Sequence, residues 1–108
     1  MKRLPYRATT GTGDVFDIDF PLDPGTGSAV RTHQLLSDLL ASIDRALAMA
    51  EPVSNGDVLQ AMAMALAVRT RMIHAPAETR GRLAMQLLAR ALDAADAAER
   101  QAPEAGHA

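Results

Sequence analysis

At 108 residues the chain has the length of one domain built around one core. Its 48% hydrophobic and 22% charged residues give the balance of a globular protein and exclude a disordered one. The net charge of -2 removes the long-range positive field that draws nucleic acid or anionic membranes, and the lack of cysteine excludes a disulfide frame, a thiolate metal site or a thiol nucleophile.

The chain opens Met1-Lys2-Arg3-Leu4-Pro5-Tyr6-Arg7, which has the charge of an export signal but continues into Thr and Gly instead of an apolar run, so no export is expected. Residues 1–27 read as an extended N-terminal arm or short β-hairpin. In Asp14-Val15-Phe16-Asp17-Ile18-Asp19-Phe20, Phe16, Ile18 and Phe20 alternate with aspartates, the period of a strand with one apolar face. Leu4 to Ala8 supplies a partner run, confined to a sheet edge by Pro5, and the turn-rich Thr9 to Gly13 lies between them. All three aromatic residues, Tyr6, Phe16 and Phe20, fall in this arm, so it is expected to pack on the helices or on a partner.

Residues 28–101 read as a three-helix antiparallel bundle, making the chain mainly α. The 22 alanines and the scarcity of aromatics favour helices, with burial supplied by Leu, Met, Val, Ile and closely approaching Ala. The first helix is predicted from Ser28 to Ala50, where Val30, Leu36, Leu39, Leu40, Ile43, Leu47 and Ala50 recur at threes and fours. Pro52 ends it. Ser54 with Asp57 forms an acidic capping box for a second helix predicted from Asn55 to about His74. Pro76 and Glu78 suit the first turn of a third, which carries Leu83, Leu87, Leu88, Ala91, Leu92 and Ala95 before fading near Gln101. Two short proline-containing connections predict antiparallel neighbours. Residues 102–108 are expected to form a disordered tail.

The second helix is the most informative segment. From Val58 to Val68 only Gln60 is polar, and the run is about half the length needed to cross a bilayer. A helix in a three-helix monomer buries one stripe; Leu59, Met62 and Leu66 can face the core, which leaves Met64 and Val68 seeking another cover. Adaptable Met and close-packing Ala point to a homo-oligomer, a dimer above all, with Leu59, Met62, Met64, Leu66 and Val68 as interface; the plainer alternative is an exposed alanine-rich face.

Arg69, Arg71, Arg80 and Arg82 surround the turn between the second and third helices, a candidate contact for an anion or a partner. The dipole at a helix C-terminus explains the first two, whereas the latter two stand near a helix N-terminus, where it disfavours them. The acidic arm, a phosphate, an acidic protein or nucleic acid could compensate. A Gly25-Thr26-Gly27-Ser28 turn precedes a helix, as anion-binding loops do, but lacks a phosphate-binding lysine. His33, His74 and His107 lie at no metal-ligand spacing, the aspartates lack the glycine turn and distal Glu of a calcium loop, and His33 with Ser37 lacks an orienting acid, so no metal, cofactor or catalytic set is expected. These patterns predict a non-enzymatic cytoplasmic adaptor or regulatory subunit that self-associates and has no membrane span. The alternative is a nucleic-acid-binding regulator that uses the four arginines on phosphates.

Overall fold

A computed structural model describes residues 2–10, 13–49 and 51–101. In chain order these form β1 (Arg3–Thr9), β2 (Val15–Pro21), α1 (Ala29–Met49), α2 (Asn55–Arg71), α3 (Ala77–Ala97) and β3 (Arg100–Gln101). The mainly-α class with an N-terminal antiparallel hairpin is thus the architecture of this chain. The short third strand adds to the hairpin, giving sheet order β1-β2-β3.

The alternation in β2 fixes which face of the hairpin is apolar. In the observed register Leu4 opposes Phe20, Tyr6 opposes Ile18 and Ala8 opposes Phe16, so six apolar residues share one face. The other face carries Arg3, Pro5, Arg7, Asp17 and Asp19, with Arg3 Nε 2.6 Å from Asp19 Oδ2 and Arg7 Nε 2.7 Å from Asp17 Oδ1. Beyond the strands, Thr10 N–H donates to Asp14 O, and Gly13 N–H to Thr10 O. Gly13 closes this turn at φ 91°, a left-handed conformation that glycine adopts without a Cβ clash. Leu22 N–H donates to Lys2 O, which places the even positions of β1 in the hydrogen-bonded pairs and turns the main chain of Arg3, Pro5, Arg7 and Thr9 outward. Pro5 therefore blunts the middle of the free edge by removing a donor.

Helix α1 begins where Ser28 Oγ accepts Arg31 N–H, a side-chain cap. It lies on β1. The Tyr6 and Ser37 hydroxyls are 3.1 Å apart, and the Tyr6 and His33 rings meet at 5.0 Å between centroids. Helix α3 lies on β2, with Ala84, Ala91, Ala94 and Ala95 among its half-buried positions, a row small enough for close approach to the strand. Arg90 Nη1 reaches Asp23 Oδ1 at 3.5 Å and ties α3 to the turn after β2. Helix α2 touches α3; among the described residues α1 is in close contact with neither. The sheet is the platform of α1 and α3, and α2 is held through α3.

Two boundaries differ from the periodicity. The Ser54–Asp57 capping box forms in both directions, but α2 ends at Arg71 and not near His74. Met72 and Ile73 turn their N–H groups to Arg69 and Thr70 carbonyls in tighter turns, and Ala75, which precedes proline, is steered away from helical geometry. Pro76 stands just outside α3 with ψ 145°. The second difference is β3, since Arg100 and Gln101 pair with Phe16 and Val15 where helix fading was expected. The expected disordered tail and Ala50 lie outside the described residues.

Burial is concentrated on the hairpin and the residue after it: among the described residues Leu4, Tyr6 and Leu22 are the buried apolar ones. On α1, Leu36, Leu40 and Ile43 are half-buried, whereas Val30, Leu39 and Leu47 from the same stripe are exposed. The accessible surface of 8534 Å² compares with about 5,800 Å² for a compact monomer of this mass. The radius of gyration, 15.6 Å, likewise exceeds the roughly 13 Å of a compact chain of this length.

Candidate functional site

The capping box starts α2 and the proline-limited turn stops it, so its apolar run is presented as one rod of Asn55–Arg71. No residue of this rod is buried. Its five candidate contact residues are all exposed: Leu59 at 66%, Met62 at 44%, Met64 at 58%, Leu66 at 42% and Val68 at 59%. Met62 and Leu66 lie on the side of the helix opposite Met64 and are the most covered of the five, whereas Leu59, expected on the same core face, is the most exposed. The cover they receive is slight. Among the described residues eighteen large apolar side chains are exposed, on all three helices and the connections beside α2, so the open surface extends past one isolated side chain.

The four arginines do not act as one group. Arg80, half-buried, donates from Nε to Ala75 O at 2.9 Å and from Nη1 to Thr70 O at 3.4 Å. Its charge sits against carbonyls at the C-terminal end of α2, where the helix dipole favours a cation. Arg82 Nη2 pairs with Glu78 Oε1 at 3.0 Å, one turn earlier on α3. These groups compensate the two arginines near the α3 N-terminus, and the acidic arm does not. Asp14, Asp17, Asp19 and Asp23 face Arg100, Arg7, Arg3 and Arg90 respectively. Arg69 and Arg71 are exposed, and neither has an ion-pair partner among the described residues. The candidate contact at this end thus reduces to the last turn of α2.

Other sequence features are absorbed by the fold. The Asp23 carboxylate accepts Gly25 N–H at 2.8 Å, so an acid occupies the glycine turn that resembled an anion cradle. The His33 and Ser37 pair serves Tyr6 and docks α1 on the sheet. Arg7 holds the Asp17 carboxyl below the usual carboxylate range, chiefly through the hydrogen bond between them, and its own pKa is raised in return. Arg100, passed over in the sequence, lies 5.3 Å over the Phe16 ring and 3.8 Å from Asp14, thereby fastening β3. Its only sequence signal was a lone cation at the end of a helical pattern. Among the described residues, no helix is long and apolar enough to cross a membrane.

Comparison with protein-family models, with curated proteins and with solved structures yields no match, so the site is read from this chain's own chemistry.

Proposed function

We propose that this chain is a non-enzymatic helical interaction module, an adaptor or regulatory subunit, that self-associates through α2 as a homodimer and engages a further protein through its remaining open surface. The observation that carries this reading is the missing cover on α2, where Met64 and Val68 are 58% and 59% exposed on a helix without a buried residue. A specific interface removes about 800 Å² from each partner, and the exposed apolar residues of α2 and the connections beside it are what such an interface would cover. Apolar burial would supply affinity, and the blunted β1 edge favours a helical over a strand-to-strand interface. We place the module in the cytoplasm, with which its cysteine-free composition is compatible.

The nucleic-acid reading has less support, because Arg80 and Arg82 are engaged within the chain. Light scattering on the intact protein tests the leading one. A mass of about 23 kDa, twice the 11.5 kDa chain, is expected, with dissociation in a Met64→Lys/Val68→Lys variant. A monomer at every concentration, or an assembly indifferent to both lysines, overturns it.

A further inference from the structure

Helix α2 has a direction written into its exposed side. Asp57, Met64 and Arg71 are seven residues apart, so the three lie within about 20° of one line along the helix. All three are exposed. The line begins with a carboxylate, passes a methionine near the helix midpoint and ends with a guanidinium about 21 Å away. One Asp57 oxygen takes the Ser54 N–H at 3.3 Å, and Arg71 has no ion-pair partner among the described residues.

We infer that two copies of the chain pair antiparallel along this line, with Met64 meeting Met64 of the second copy at a two-fold axis and Asp57 of each facing Arg71 of the other. The inference rests on the self-association proposed above and specifies its face, direction and register. In an antiparallel pair centred on Met64, residue 57 opposes residue 71 and residue 60 opposes residue 68, so opposite charges meet at both ends of an apolar middle. A parallel pair would set Asp57 against Asp57 and Arg71 against Arg71, and would align two helix dipoles. The opposite face of α2 has no such complement. Antiparallel pairing along Leu59, Met62 and Leu66 brings Arg69 to Gly56.

The chain contains no cysteine, so introduced thiols report the geometry directly. Under mild oxidation Met64→Cys is expected to form a covalent dimer, whereas Gln60→Cys and Val68→Cys cross-link with each other when mixed and little with themselves. Arg71→Glu, which turns two attractions into repulsions, is expected to weaken dimerisation by about tenfold. Arg69→Glu, on the far face, leaves it unchanged. A wild-type dimer in which Gln60→Cys and Val68→Cys each link to themselves, or in which Arg69→Glu is the damaging change, overturns the antiparallel register while self-association stands. A monomeric wild type overturns both.

Discussion

The Tyr6 hydroxyl lies 3.1 Å from the Ser37 hydroxyl and joins the N-terminal strand to α1 across 31 positions of sequence. Among the described residues Tyr6 is one of three buried apolar side chains and α1 has no close contact with the other two helices, so this bond connects the best-covered part of the fold to a helix held by the sheet. Tyr6→Phe keeps the ring against His33 and removes the bond. Stability should fall by about 1 kcal/mol in chemical denaturation, Ser37→Ala should cost a similar amount, and the double variant should cost less than the sum. Full additivity would mean that the two hydroxyls are independent.

The α3–β2 contact depends on small side chains. Ala91 is half-buried and Ala89 exposed on the same helix. Ala91→Leu should lower stability by about 1–3 kcal/mol through overpacking, whereas Ala89→Leu should stay within about 0.5 kcal/mol of wild type. Equal effects in thermal unfolding would remove the close-approach argument for α3.

Arg80 caps the end of α2 from α3, while Arg82 only pairs along its own helix. Arg80→Ala should cost about 1 kcal/mol and speed amide hydrogen exchange at Met72 and Ile73, next to the carbonyls it releases. Arg82→Ala should do neither, an exposed pair of this kind being worth about 0.3–0.5 kcal/mol. Faster exchange in the Arg82 variant alone would reverse these assignments.

The Arg7–Asp17 pair predicts a pH dependence of definite sign. The pKa of Asp17 is lowered on folding, so its contribution is present above the ordinary aspartate value of about 3.9 and is lost as pH falls through the lower folded value. The carboxyl titration of Asp17, followed by NMR, should have its midpoint below that value and move up in Arg7→Ala. A midpoint that ignores the substitution would show that the pair exerts no hold on Asp17 in solution.

Much of the local structure is legible in the residues themselves. Alternation in Phe16, Ile18 and Phe20 names the strand and its apolar face, Pro5 assigns its partner to an edge, and Ser54 with Asp57 marks the start of α2, because each depends on neighbours within a few positions. The same locality explains what was hidden. Ala75 before Pro76 shortens α2 only in concert with the turn around Ile73, and the two residues of β3 are too few to show any period.

By itself the sequence determined the hairpin, the three helices, their order and an α2 with more apolar circumference than one stripe requires, since periodicity and capping act along the chain. The tertiary structure alone decided that α1 rests on β1 and α3 on β2, that Arg80 and Arg82 find their partners near the turn, and that each arm aspartate faces an arginine. A helical stripe states that a side wants cover but carries no name for what covers it. Leu36 and Leu39, three residues apart in one predicted stripe, end half-buried and 61% exposed because the surface beneath them comes from residues more than 25 positions away.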